Sequence, residues 1–153
     1  MTMLQPQATQ KKIQLMRELT SAQDIEIEAD QALLQQALFN LLENAVKFSP
    51  LNSQVSLRLV DKGETVVFAI QDHGVGIAPL DLPYVFERFH KTGRKDGHNQ
   101  KNVGLGLTIV KSIAERHKGK SWVESILGKG STFYIEIPKR QPGKEQERQI
   151  RFS

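Results

Sequence analysis

Residues 66–77 read Val-Val-Phe-Ala-Ile-Gln-Asp-His-Gly-Val-Gly-Ile, an apolar stretch that runs directly into a D-x-G-x-G turn. Val66, Phe68 and Ile70 recur at period two, which predicts a β-strand. The carboxylate of Asp72 is an acceptor that can take a hydrogen bond from an exocyclic amine, and the glycines allow close approach of backbone to a flat ligand. Alone, the segment is equally compatible with a plain glycine turn that ends a strand.

Two β-hairpins are predicted around this stretch. Val55, Leu57 and Leu59 also alternate, and a polar turn at 61–64 joins them to the strand that follows. A second pair of alternating runs lies within 122–137, with two glycines in its turn.

Two amphipathic helices are predicted between the strands. Asp30 can cap the first helix, whose apolar spacing continues to about Phe48 before a Ser-Pro pair ends it. The second helix runs from Gly106 to about His117, and Gly119 can stop it.

The fold class follows from the order of these elements. Residues 13–19 and 25–29 alternate as two further strands, so strands and helices are mixed along the chain and tight turns join neighbouring strands. We therefore predict an α/β fold, a two-layer sandwich in which helices cover a mixed, mostly antiparallel sheet.

Length and composition exclude several classes of protein. The chain has 153 residues, enough for one domain, and 39% of them are hydrophobic. It has no apolar run long enough for a membrane span and no secretory signal, so we expect a soluble cytoplasmic domain. The absence of cysteine excludes disulfides, thiol catalysis and thiolate metal sites.

The basic charge is concentrated in two polar segments. The formal net charge is +4, whereas residues 90–103 and residues 138–153 each carry +3, so the remaining body is near −2. No basic face interleaved with aromatic residues is visible, so we expect no contact with nucleic acid or with a membrane.

A polar cluster lies on the first helix. Asn40, Asn44 and Lys47 share one face at spacings of four and three residues. An Asn oxygen can ligate Mg²⁺, and Lys47 can meet phosphate charge. The same residues also fit a solvated helix face with a Glu43–Lys47 pair.

A glycine-rich segment, Val103-Gly-Leu-Gly-Leu107, opens the second helix. Free N–H groups at a helix start suit a phosphate chain, although glycines there also fit close packing. The histidines of the chain show no metal-ligand spacing.

The polar stretch 90–103 has one large aliphatic residue and cannot bury itself. We predict a mobile lid whose cations close over an anionic ligand; a plain surface loop is the alternative.

Taken in order, these segments resemble the ATP-binding catalytic domain of bacterial sensor histidine kinases, in the Bergerat-fold (GHKL) ATPase superfamily that includes gyrase, Hsp90 and MutL. The resemblance covers about residues 10–138 and is carried by five motifs. They are Asn40-Leu-Leu-Glu-Asn44-Ala-Val-Lys47-Phe48-Ser-Pro50 (N box), Asp72-His-Gly74-Val-Gly76-Ile77 (G1 box), Phe86-Glu-Arg-Phe89 (F box), Gly104-Leu-Gly106-Leu107 (G2 box) and Gly128-Lys-Gly130-Ser-Thr132-Phe133 (a further glycine box).

The resemblance implies roles for particular residues. Asp72 would bind the adenine amine of ATP, with Thr132 nearby, and Asn44 would ligate Mg²⁺. Asn40 and Lys47 would reach the phosphates. The other implied ATP contacts are Gly74, Gly76, Ile77, Phe89, Gly104, Leu105, Gly106 and Leu107, and residues 90–103 would form the ATP lid.

The resemblance also implies a reaction, transfer of the ATP γ-phosphoryl group to a histidine on a separate dimerisation domain, with a response regulator as an indirect partner. Asn40 occupies the position where the gyrase branch has a water-activating glutamate, and Asn40 cannot act as a base. This difference favours phosphoryl transfer over ATP hydrolysis. Asn40, Lys47 and Glu43 are the catalytic candidates, with Glu43 as a possible general base.

The resemblance divides the chain into three parts. Residues 1–9 would be the remnant of a linker, 10–138 the catalytic domain and 139–153 a basic, disordered tail. No histidine precedes His73, so the acceptor helix is absent from this chain. Two alternatives remain open here, a free-standing serine kinase of the anti-sigma type and a nucleotide-gated interaction module.

Overall fold

The computed structural model describes residues 9, 11–19, 25–87, 100–141 and 148–152. Within them, the order of elements is β1 (Gln14–Leu19), β2 (Ile25–Ala29), α1 (Gln31–Phe48), β3 (Gln54–Asp61), β4 (Thr65–Gln71), a 3₁₀ turn (Leu82–Tyr84), α2 (Gln100–Arg116), β5 (Lys120–Ile126), β6 (Gly130–Pro138) and β7 (Arg148–Phe152).

Five strands form one mixed sheet in the order β1-β3-β4-β6-β5. The β1–β3 pair is parallel and the other three pairs are antiparallel. The β3–β4 and β5–β6 pairs are the two predicted hairpins. The predicted sandwich with a mostly antiparallel sheet is therefore confirmed.

Both helices pack on one face of this sheet, α1 against β3 and β4 and α2 against β5 and β6. Alternate residues of β4 and β6 face the helices in register, with Phe68 opposite Ile135 and Ile70 opposite Phe133. These side chains join the buried residues of both helices in a single hydrophobic core. The core fixes α1 relative to the end of β4, where the D-x-G-x-G segment begins.

Helix α1 has the predicted ends. The side chain of Asp30 accepts a hydrogen bond from the N–H of Leu33 at 3.1 Å, which caps the first turn. At the other end Ser49 is extended and Pro50 follows, and proline disfavours the helical conformation in the residue before it.

Helix α2 begins at Gln100, six residues before the predicted start at Gly106. Gln100, Lys101 and Leu105 are good helix formers, and the two glycines cost only about 1 kcal/mol each in a helix. The last four residues of the predicted lid, 100–103, are therefore helical. Residues 90–99 of that prediction lie outside the described residues.

The tail also differs from the prediction of disorder. Residues 148–152 form β7, which pairs antiparallel with β2 in a separate two-stranded ribbon. Ile150 and Phe152 alternate with polar residues, a strand pattern obscured by the overall charge of the segment. Strand β2 lies outside the main sheet, so its backbone groups need this partner.

Candidate functional site

Asp72 lies directly after β4 and is 6% exposed. Its Oδ1 accepts hydrogen bonds from the N–H of Gly74 at 2.9 Å and of Ser131 at 3.3 Å. The N–H of Asp72 in turn donates to the carbonyl oxygen of Ser131 at 2.9 Å. Two hydrogen bonds to the carboxylate and one from the backbone thus fix Asp72 between the turn that follows β4 and the start of β6.

The electrostatic state of Asp72 is set by its burial. Loss of solvent raises the pKa of this carboxyl above its ordinary value, and the N–H groups of Gly74 and Ser131 and the nearby His73 offset only part of the rise. Within the described part of the chain, both hydrogen bonds to the side chain go to Oδ1. Oδ2 is therefore available to accept a hydrogen bond from a ligand.

The two glycines after Asp72 allow the loop to touch neighbouring backbone. A Cβ atom on Gly74 would overlap the carbonyl oxygen of Phe48, in the last turn of α1. Gly76 has φ +73°, and a Cβ there would overlap the carbonyl oxygen of Ile126. The loop therefore packs directly against the backbone of α1 on one side and of the β5–β6 hairpin on the other, and only glycine fits at these two positions.

Hydrogen bonds complete this attachment to the hairpin. The N–H of Ile77 donates to Ser125 Oγ at 2.8 Å, and the N–H of Gly128 donates to the carbonyl oxygen of Val75 at 2.7 Å. Ile77 itself packs against the hydrophobic core. The loop thus has a defined position before any ligand binds.

The polar face of α1 contains an unpaired buried amide. Asn44 is 6% exposed, and among the described residues its Nδ2 has no hydrogen-bond partner. An unsatisfied buried donor costs about 1–3 kcal/mol, which is typical of a site that a ligand completes. Asn40, Glu43 and Lys47 are partly exposed on the same helix.

The start of α2 lies beside this polar face. A Cβ built on Gly106 would be 3.9 Å from the Cβ of Asn40. The next residue, Leu107, is 1% exposed and belongs to the core. The structure therefore brings Gly106 to the α1 cluster and uses the Leu107 side chain to anchor α2.

Sequence reasoning missed Ser131 and placed Thr132 near Asp72. Thr132 pairs with Gln71, but Ser131 makes the hydrogen bonds to Asp72. The Ser131 hydroxyl lies 2.8 Å from Ser125 Oγ, which also supports the loop. The position of Ser131 directly after Gly130 was the available signal.

Several predicted site residues are not described in full. Phe89 and lid residues 90–99 lie outside the described residues, and Gly104 and Leu105 are described only as backbone of α2.

In the described residues, no group of three or more His, Asp or Glu side chains could hold a metal ion. A divalent ion at Asn44 would therefore take most of its ligands from a bound anion and water.

An open groove of about 670 Å³ borders the loop on the side of the β5–β6 turn. Its lining residues are Phe48, Ser49, Pro50, His73, Gly74, Val75, Leu127 and Gly128. None of Asp72, Asn44 and Lys47 lines it, and its walls are mostly apolar. The groove therefore does not include these predicted site residues.

The helices offer no candidate for crossing a membrane. Among the described residues, neither helix combines the length and the apolar character that a span requires.

Comparison with known proteins gives a consistent result. Residues 29–141 match the family described as histidine kinase-, DNA gyrase B-, and HSP90-like ATPase. The chain is 42% identical over 115 residues to the sensor protein KdpD of Clostridium acetobutylicum, an alignment that covers 75% of this chain and 13% of KdpD. The curated relatives are thus much longer than this chain.

Solved structures share the fold. The catalytic domain of histidine kinase ThkA superposes with a TM-score of 0.77 at 26% identity, covering 92% of this chain and 88% of the ThkA chain. Full-length ShkA in complex with AMPPNP superposes with a TM-score of 0.75 at 33% identity, covering 90% of this chain and 28% of ShkA.

Proposed function

The chain belongs to the family of histidine kinase-, DNA gyrase B- and HSP90-like ATPases, and from that membership we propose that it is the ATP-binding catalytic domain of a two-component sensor histidine kinase. The domain donates the γ-phosphoryl group of ATP to a histidine on a separate dimerisation domain. The names of the relatives, which include KdpD and the histidine kinases ThkA and ShkA, support this proposal.

One observation of the structure carries the proposal. The buried carboxylate of Asp72 is fixed through Oδ1 with Oδ2 available, and Nδ2 of Asn44 on the adjacent helix is buried with no partner in the part of the chain that the structure describes. Oδ2 of Asp72 can accept a hydrogen bond from the exocyclic amine of a nucleobase, and the amide of Asn44 can contact a polar group at the phosphate end of the nucleotide. The presence of AMPPNP, an ATP analogue, in the ShkA structure supports the same ligand class.

We propose roles for the site residues from the resemblance to the family, and this arrangement supports them. Asp72 accepts a hydrogen bond from the adenine amine, and Gly74 and Gly76 let the loop backbone lie close to the base. Asn40 and Lys47 face the phosphates, where the cation of Lys47 offsets negative charge. The remaining proposed contacts are Ile77, Phe89, Gly104, Leu105, Gly106, Leu107 and Thr132.

Mg²⁺ takes oxygen ligands, and the amide oxygen Oδ1 is the atom of Asn44 that could ligate it; when bound, the ion would neutralise phosphate charge during transfer. This chain's own contribution is to bind and orient the nucleotide. Asn40 cannot accept a proton as a base, so water is not activated there. Glu43 is the candidate to take a proton from the incoming nucleophile.

The proposal includes partners and a cellular location. The histidine-bearing domain is the direct partner, and a response regulator receives the phosphoryl group from that histidine. The reaction uses ATP, which places this domain in the cytoplasm.

The binding step is tested by titration calorimetry with ATP and ADP, with and without Mg²⁺. Asp72→Asn is expected to weaken binding about 10- to 150-fold, because it loses a hydrogen bond to a charged group worth about 1.5–3 kcal/mol. Asn44→Ala should remove mainly the Mg²⁺-dependent part of the affinity. Glu64→Gln serves as the control, because Glu64 is exposed and lies just before β4, at the end opposite Asp72.

The transfer step is tested by mixing the chain with labelled ATP and a separately produced helical domain that carries the acceptor histidine. Acid-labile label on that domain is the expected result. Acid-stable label on a serine would instead identify a serine kinase. Tight binding of ATP without transfer to any histidine-bearing domain would reduce the function to nucleotide-gated interaction.

A further inference from the structure

Lys11 makes three hydrogen bonds to the end of α1. Its Nζ donates to the carbonyl oxygens of Val46 at 3.1 Å, Lys47 at 2.8 Å and Ser49 at 3.3 Å. A lysine ammonium has three donors, so all of them are used at this one place. Lys11 precedes β1 and lies ahead of residues 29–141, the part of the chain that matches the family.

The physical effect of these bonds is to complete a helix end. The last four carbonyl groups of an α-helix lack partners within the helix, and the aligned peptide dipoles make this end negative. The Lys11 cation binds the carbonyl oxygens of Val46 and Lys47 in the last turn and that of Ser49, the residue after the helix, and so offsets that charge. Lys11 therefore acts as a cap supplied by a segment distant in sequence.

The backbone around Lys11 is attached to the same region. The N–H of Asn52 donates to the carbonyl oxygen of Lys11 at 3.0 Å, and the N–H of Gln14 donates to the carbonyl oxygen of Ser53 at 3.0 Å. The loop after α1 is thus joined to the segment that enters β1. A displacement of this segment would act directly on the C-terminal turn of α1.

That turn is also one wall of the proposed site. It carries Lys47, and the carbonyl oxygen of Phe48 lies where a side chain on Gly74 would be. The N–H of Gly74 binds Oδ1 of Asp72. A continuous series of contacts therefore runs from Lys11 through the end of α1 to the carboxylate.

We infer that Lys11 is a positioning residue of the nucleotide site, and that segment 11–14 adjusts nucleotide affinity by setting the last turn of α1. The inference rests on the proposed nucleotide-binding function. It gives the chain segment that leads into the domain a physical route to the site.

The test compares Lys11→Met with Lys11→Arg, and uses Lys12→Met as the matched control because Lys12 is the exposed neighbour. Lys11→Met should weaken Mg²⁺-ATP binding about three- to tenfold by calorimetry, well below the melting temperature of each variant. Lys11→Arg keeps a cation with several donors and should recover most of the loss. Lys12→Met should leave the affinity unchanged.

Hydrogen exchange of the nucleotide-free protein provides an independent measurement. Lys11→Met should speed exchange of the Gly74 amide as well as that of Ser49, whereas Lys12→Met should change neither. Faster exchange confined to 46–49, with nucleotide affinity unaltered, would show a purely structural cap and overturn the inference.

The two proposals fail in different ways. If the unaltered chain binds no nucleotide, the proposed function fails, and the exchange rate of Gly74 still decides whether Lys11 controls the loop. If the unaltered chain binds and Lys11→Met binds equally well, only the role of Lys11 is wrong. If Lys11→Met does not fold, Lys11→Gln, which keeps an amide donor but no charge, takes its place and should show the same loss of affinity and faster exchange of the Gly74 amide.

Discussion

At the scale of single residues, Asp72 combines a favourable binding geometry with an unfavourable contribution to stability. Burial raises its pKa above the ordinary value of 3.8. Between that value and the raised one, the folded state binds the proton more tightly than the unfolded state does. The free energy of unfolding therefore falls as pH rises through this window, and at neutral pH the ionised carboxylate lowers stability.

This sign leads to a prediction for Asp72→Asn. The amide oxygen can still accept the N–H groups of Gly74 and Ser131, and the buried charge is removed. We expect the variant to be at least as stable as the unaltered chain at neutral pH, although it binds nucleotide poorly. Urea unfolding at several pH values measures the effect.

The advantage of the variant should shrink on acidification, as Asp72 of the unaltered chain takes up its proton. Glu64→Gln, at the exposed end of β4, should show no such pH dependence. A variant that is less stable at neutral pH and equal in acid would mean that the charged carboxylate itself holds the loop.

The residues that the sequence could predict are those with local signals. Asp72 follows an alternating strand and precedes two glycines, and Asn44 lies on the polar face of a clearly periodic helix. Lys11 could not be found this way, since its partners lie 35 or more residues away in the chain, and the same holds for the contact of Ser125 with Ile77, 48 residues away. Their roles exist only once the strands and helices have assembled.

At the scale of elements, the two helices are joined by a buried histidine. His117, just after α2, is 1% exposed and accepts a hydrogen bond on Nε2 from the N–H of Asp30 at 3.0 Å. Its Nδ1–H donates to the carbonyl oxygen of Ile113 at 2.9 Å. These two bonds define a neutral tautomer and connect the start of α1 to the end of α2.

We predict that His117→Ala lowers the free energy of unfolding by about 2–4 kcal/mol, because it leaves a cavity and an unpaired N–H at Asp30. Urea unfolding gives the value, and Glu115→Ala, an exposed change on the same helix, is the control. Equal stability of the two variants would show that helix packing alone fixes this junction.

The prediction of elements succeeded where pairing is local. Both hairpins connect strands through short turns whose glycines have positive φ, at Gly63 and Gly128, and the sequence shows these turns directly. The pairing of β2 with β7 joins residues more than a hundred positions apart. The basic charge of the tail obscured the alternation of Ile150 and Phe152 with polar residues, which is the signal for this strand.

At the scale of the whole molecule, the proposed site lies among α1, the start of α2 and the end of β4, so a ligand there would contact elements that belong to one core. Binding to the folded state alone must therefore stabilise the entire domain by mass action. At a concentration of about 100 times Kd the gain is about 2.7 kcal/mol.

We accordingly predict that Mg²⁺-ATP at that concentration raises the melting temperature of the 153-residue chain by about 5–10 °C. Mg²⁺-GTP should give little or no rise, because guanine has a carbonyl group where adenine has the amine that we propose as the partner of Asp72. Differential scanning calorimetry measures both, and Asp72→Asn at the same ATP concentration is the matched control.

The comparison separates recognition of the base from general attraction of phosphate. If ATP and GTP stabilise the chain equally, the cations around the phosphates dominate and the carboxylate does not read the base. If ATP alone stabilises the chain and Asp72→Asn abolishes the effect, one buried carboxylate controls a property of the entire fold. That coupling is expected because the loop, α1 and the hairpin unfold together.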